Sequence, residues 1–98
     1  MEEITKMPVL IQKEDIANSR FPETEVLLTP EEIKIRRNEL ERCTTLGNIE
    51  HYKIKIIFED AEGLKKTETT IWATTEKRII LKGGVCIPIH RIHQIKIY

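Results

Sequence analysis

The sequence predicts a mainly β domain with one N-terminal helix, its strands forming a five-stranded antiparallel meander closed as a small barrel. Three observations carry this. A capping box opens a stretch of helical period at Thr29, the hydrophobic period falls to two residues beyond Ile49, and short polar or glycine turns punctuate everything that follows. At 98 residues the chain has room for one modest core. Its aromatic residues are Phe21, Tyr52, Phe58, Trp72 and Tyr98, so that core must be mostly Ile, Leu and Val. Isoleucine dominates the second half, and β-branched side chains suit a pleated, half-buried surface.

Taken in order, residues 1–28 read as a poorly ordered arm, with Pro8-Val9-Leu10-Ile11 able to add a strand. Glu14 to Thr24 has turn composition and no period. Residues 29–98 form the helix-plus-barrel domain. Thr29 is an N-cap, Pro30 takes the first helical position and Glu32 completes a Thr-x-x-Glu box. Leu28 and Ile33 have the spacing of a hydrophobic staple. Ile33, Leu40, Cys43 and Leu46 then make an apolar stripe, with Arg36, Arg37, Glu39, Glu41 and Arg42 mostly on the other sides. Gly47-Asn48 predicts a left-handed stop, giving a helix over 29–46.

Strands are predicted over 51–59, 66–74, 78–82, 85–89 and 93–98. In the first, Tyr52, Ile54, Ile56 and Phe58 alternate with Lys53, Lys55, Ile57 and Glu59. Glu59 to Gly63 is a polar hairpin turn, Thr75-Glu76-Lys77 a short one, and Gly83-Gly84 supplies two residues tolerant of positive φ. Pro88 lacks an N–H and so marks an edge or a bend. His90-Arg91-Ile92 is a tight corner before the last strand. Closing such a meander removes exposed sheet edges, and the helix would cover one open end.

Formal charge is zero but unevenly divided. Residues 1–50 carry seven Lys and Arg against eleven Asp and Glu, and residues 51–98 carry nine against five. An acidic helix docked beside a basic sheet explains that division, and overall neutrality disfavours a dedicated polyanion binder. Cys43 and Cys86 lack zinc-ligand or CxxC spacing and read as small apolar residues. Met1–Lys6 is acidic, unlike a signal peptide, and no apolar run has membrane-spanning length. A cytoplasmic protein is expected.

Catalytic and metal-binding constellations are weak. His90 and His93 are three apart with His51 distant, and they lack a third and fourth ligand. A Cys86/His90 nucleophile pair has no recognisable orienting residue or oxyanion loop. Asp60 and Glu62 read as solubilising turn residues, and Gly83-Gly84 lacks the strand-to-helix context of a phosphate loop. Lys53, Lys55, Lys77, Arg78, Lys82, Arg91 and Lys96 are the one collection with functional potential. Of these Lys53, Lys55, Lys77, Arg78 and Arg91, with Trp72 as an aromatic platform, are the candidate partner face.

The layout from Thr29 to Tyr98 resembles the Sm-like and SH3-like small barrels: helix, long first hairpin, short strand, one-turn corner and closing strand. Within that group, Ile54 to Ile97 is similar in outline to the bacterial Rho-binding antiterminator proteins. The matching positions are Glu62-Gly63, Ile79-Ile80-Leu81 and Ile87-Pro88-Ile89-His90-Arg91-Ile92. That resemblance implies binding to the transcription terminator Rho, although no interface motif is shared. A second resemblance, to bacterial pleckstrin-homology-like domains, rests on Thr74 to Leu81 followed by Gly84 and Ile87 to Ile92. Those domains usually close with a C-terminal helix, which the sequence up to Tyr98 does not contain, so it ranks second.

The expected function is therefore a non-catalytic binding or regulatory module without a cofactor. Its partner is expected to be a protein, the Ile-rich strand edges also favouring homo-oligomers. The alternative is RNA or DNA binding in the Sm manner through the basic strand face. An enzyme built on Cys86 and His90 is the third reading.

Overall fold

The computed structural model describes residues 7–50 and 52–97. The readings of Met1–Lys6, His51 and Tyr98 lie outside the described residues. The chain is mainly β with one helix, and its strands fall into two sheets. The first sheet takes β1 (Val9–Leu10), β3 (Gly63–Thr69), β2 (Ile54–Asp60) and β7 (Ile92–Ile97), in that order. The second takes β4 (Ile71–Thr74), β5 (Arg78–Leu81) and β6 (Cys86–Pro88). The expected closed five-stranded barrel is thus replaced, among the described residues, by seven strands in a four-stranded and a three-stranded sheet.

Two local causes account for the extra strands. The run from Gly63 to Thr74 breaks at Thr70, whose Oγ1 donates to the Tyr52 carbonyl at 3.2 Å while its own carbonyl accepts from Lys82 N at 3.0 Å. Those bonds replace ladder pairing and turn the strand from one sheet into the other. At the other end of the chain, β1 pairs in parallel with β3, Val9 opposite Lys65 and Leu10 opposite Lys66. A 3-10 helix, Lys13–Asn18, follows and drops Ile16 into the core.

The helix α1 runs Pro30–Glu50. Thr29 caps it as its sequence dictates: the Glu32 N–H donates to Thr29 Oγ1 at 3.2 Å, and the Thr29 hydroxyl reaches the Glu32 carboxylate at 3.0 Å. Leu28 and Ile33 stay exposed, so the staple does not form a buried contact. The buried stripe is Arg36, Leu40, Cys43 and Gly47, a helical i, i+4, i+7, i+11 series. Gly47 does not stop the helix. It lies where a Cβ would come within 2.8 Å of the Ile71 carbonyl oxygen, so its missing side chain lets α1 press against β4. Beside it, Thr44 Oγ1 bonds the Leu40 carbonyl at 2.7 Å and Thr74 Oγ1 at 2.5 Å.

The core lies between the sheets and α1. Ile54, Ile56 and Phe58 from β2 meet Ile71, Ile79, Leu81, Ile87 and Ile92, with Leu40 and Cys43 closing one side. The turn from β5 to β6 is set by Gly83 and Gly84, at φ 91° and 88°, where the Gly84 N–H returns to the Leu81 carbonyl at 2.8 Å.

Residues 19–28 form a strap fixed by long-range bonds. The Ala61 N–H reaches the Arg20 carbonyl at 2.8 Å, and the Val26 N–H reaches the His90 carbonyl at 2.9 Å. His90 Nε2 lies 2.8 Å from the Pro22 carbonyl. A carbonyl only accepts, so Nε2 carries the proton. Arg36 grips Glu25 with both terminal nitrogens and also reaches the Ile92 carbonyl at 3.1 Å. Burial would push the Glu25 carboxyl up, but the Arg36 guanidinium and the Leu27 N–H hold it below its ordinary value.

Candidate functional site

The expected basic face does not assemble as one surface. Lys53 is exposed in the connection leading into β2, and Lys55 stands on the outer face of the four-stranded sheet. There it faces Glu68 across the β2–β3 ladder and Lys96 across the β2–β7 ladder. Ile57, on the same face, is 8% exposed between Lys66 and Gln94. Further along, Glu59 holds His93 Nε2 at 2.9 Å and lies 3.7 Å from Arg91. Charges of both signs are mixed on this face, although Lys55 and Lys96 are direct neighbours, and such a mixture suits a solvated, edge-protected surface.

Arg91 is removed from the candidate face. It is buried, donating to the Glu59 carbonyl at 3.0 Å and to the Thr24 carbonyl and hydroxyl at 2.8 and 3.0 Å. A buried guanidinium needs such acceptors, and they make it a clamp between strap and sheet. Asp60 likewise is no solubilising residue. Its Oδ1 accepts from the Glu62 and Gly63 N–H groups, and Lys65 Nζ lies 2.6 Å from Oδ2. Burial would raise its pKa, yet Lys65, the Glu62 N–H and the Ser19 hydroxyl hold it lowered.

Trp72 and Arg78 share the outer face of the three-stranded sheet. The β4–β5 register shifts between Ile71 and Ala73, so Trp72 is the extra residue of a bulge. A bulge re-aims a side chain, and Trp72 is left 48% exposed while Ile71 is fully buried. Alternation along β5 sends Ile79 and Leu81 inward and Arg78 and Ile80 outward, and Lys82, in the turn that follows, is exposed. Opposite Ile80 and Arg78 lie Cys86 and Pro88 of β6, which flank buried Ile87.

Local chemistry holds the two cations in place. Thr75 Oγ1 accepts from the Arg78 N–H at 3.1 Å, and the Thr75 N–H reaches the Arg78 carbonyl at 2.8 Å. Arg37 of α1 braces the same turn, donating to the Thr75 and Glu76 carbonyls at 2.9 and 2.7 Å. Lys82 is held through its backbone by Thr70. Among the described residues neither the Arg78 nor the Lys82 side chain makes an ion pair. No Asp or Glu occurs on β4, β5 or β6.

An open cleft of about 1090 Å³ adjoins this face, bounded by Phe21, Ile33, Arg37, Lys77, Pro88 and His90. Its free charges oppose one another, Lys77 and Arg78 facing a wall that includes Glu23 and Glu76. Cys86 and His90 both line it. Cys86 Sγ is directed to the Gly84 carbonyl at 3.6 Å and His90 Nε2 to Pro22, and no hydrogen bond joins them. Cys43 is buried in the core, which pushes its thiol pKa up. Both cysteines are free thiols. Among the described residues no group of three His, Cys, Asp or Glu side chains could hold a metal ion, and no helix is long and apolar enough to cross a membrane.

Sequence reasoning had singled out Trp72 and Arg78 but not the surface that unites them. Ile80, Cys86 and Pro88 complete it, with Lys82 of the wider basic collection just beyond β5, and strict alternation along β5 is the signal for Ile80. Compared with known proteins, the chain matches no family model, no curated protein and no solved structure.

Proposed function

We propose that this protein is a small non-catalytic binding module for a protein partner, built on a partly open barrel of the Sm-like or SH3-like kind. The strand pairing supports that architecture. β2 pairs with both β3 and β7, so the meander's first and last strands meet, and the run through Thr70 serves both sheets.

The observation that carries the function is the exposed Trp72 on β4, on the same sheet face as Arg78 of β5, with Ile80, Cys86 and Pro88 at its centre. Trp and Arg are the residue types that dominate binding energy at protein interfaces, and an apolar centre with a charged rim is the usual interface plan. The free edge of β6 is a poor site for strand addition, since Pro88 has no N–H to offer a partner strand. The partner is therefore read on the face of the sheet.

Affinity capture with the wild-type chain and two variants tests this. A protein retained by the wild type and by Lys55→Glu, but lost with Trp72→Ala, is the expected result. Capture indifferent to Trp72→Ala would overturn the assignment of the face.

A second reading, single-stranded nucleic acid, is favoured by the lack of carboxylates on the strands that carry Trp72 and Arg78. It predicts saturable binding of short labelled RNA or DNA that weakens steeply with salt and is abolished by Arg78→Glu.

A further inference from the structure

We propose that the outer face of the three-stranded sheet receives an acidic linear segment of a partner protein, with carboxylates on Arg78 and Lys82 and an apolar side chain seated between them on Ile80 and Trp72. This rests on the protein-binding reading and names the chemistry of the partner.

Three features of the face converge on it. Exposed Arg78 opens β5 and exposed Lys82 follows its end, four residues on, a separation of roughly 13 Å along an extended run. Ile80 lies midway, so cation, apolar centre and cation follow in a line. Trp72, displaced by the bulge, widens that centre on one side, and Cys86 and Pro88 continue it on the other. The complementary segment in extended form is acid, any residue, apolar residue, any residue, acid.

Charge settles the sign of the partner. The sheet's strands carry Arg78 and no carboxylate, with Lys82 just beyond β5. Among the described residues, Glu76 stands past the end of the sheet in the turn braced by Arg37, and Glu23 lies off the sheet on the adjoining cleft. Among the described residues neither Arg78 nor Lys82 makes an ion pair, so both can meet incoming carboxylates. Nucleic acid is less well matched. Two cations displace few counterions, and the formal charge of the whole chain is zero.

The test is selection from a random library of short linear peptides against the full chain, with Trp72→Ala and the double variant Arg78→Glu/Lys82→Glu as counter-targets. Trp72 is the chain's single tryptophan, so its emission reports binding at this face directly. Enriched peptides are expected to carry Asp or Glu about four residues apart around an aromatic or aliphatic side chain. Their affinity should fall about thirty-fold with Trp72→Ala. The double variant should lose these peptides and enrich Lys- and Arg-bearing ones instead.

Trp72-dependent peptides without acidic bias would overturn the acidic segment and leave the binding module standing. Absence of any Trp72-dependent peptide would overturn both, and a short oligo-dT that alone changes Trp72 emission would assign the face to nucleic acid. Unchanged thermal unfolding of all variants excludes misfolding as the cause.

Discussion

The two sheets treat their outer surfaces in opposite ways. On the four-stranded sheet, Lys55 and Lys96 share the face with Glu68 and Glu59, and Glu59 closes on Arg91 and His93. The three-stranded sheet has no carboxylate on its strands and a half-exposed tryptophan, and among the described residues neither Arg78 on β5 nor Lys82 just beyond it makes an ion pair. Both sheets put the same isoleucine-rich surface against the core. Charge count alone therefore separates nothing, since cations occur on both; what distinguishes a contact surface here is whether the protein itself already answers its charges.

That contrast can be broken at several points. The largest effect is expected inside the four-stranded sheet, where Phe58 is fully buried. Phe58→Ala should destabilise the fold by roughly 3–5 kcal/mol in chemical denaturation, against less than about 0.5 kcal/mol for Trp72→Ala on the other sheet's exposed face. Equal losses would mean that Trp72 is a core residue.

Gly47→Ala comes next. Helix propensity alone would favour alanine by about 1 kcal/mol, but the new Cβ meets a backbone carbonyl at 2.8 Å. A net loss of roughly 1–3 kcal/mol is expected from that overpacking, and a gain would show that α1 can lift from β4. Arg36→Met should cost a comparable roughly 1–3 kcal/mol, less than a wholly buried pair, because Glu25 keeps some contact with water.

Acid should reveal the same pairs. Glu25 and Asp60 have folded-state pKa values held below the ordinary range, so protons bind the unfolded chain more readily. Their contribution is complete above the ordinary carboxylate pKa of about 4 and is lost as pH falls through the depressed folded values. Thermal scans should show a flat midpoint at neutral pH and a decline in acid that is shallower in Glu25→Gln. The smallest effect separates the two outer faces: Lys55→Glu and Arg78→Glu should each shift stability by less than about 0.5 kcal/mol, yet only Arg78→Glu should affect partner binding.

Much of the fold was legible because local rules and tertiary packing agree there. The capping box at Thr29, the alternation through Phe58 and the Gly83-Gly84 turn all appear where their residue types demand. The misreadings share a cause, which is partners remote in sequence. Arg36 looked like a solvent-side charge, and its burial depends on Glu25 in the strap and on Ile92 far along the chain. Arg91 was placed on an exposed face for want of any signal that Thr24 would receive it. Gly47 has the composition of a helix stop, and only the approach of β4 explains its place inside one. The division of residues 63–74 between two sheets turns on a bond from Thr70 to Tyr52 that no periodicity encodes.

The strap has a kinetic consequence. Its ties at Pro22, Thr24 and Val26 all end at His90 or Arg91, so they span most of the chain and need the corner before β7 to exist first. Contacts of such long sequence separation are made late, after the loop between them has been closed. The strap is accordingly expected to be the last segment to dock during folding and the first to detach. In native-state hydrogen exchange the Val26 amide should open at lower free energy than the amides of β2, reporting a partly unfolded form in which both sheets persist.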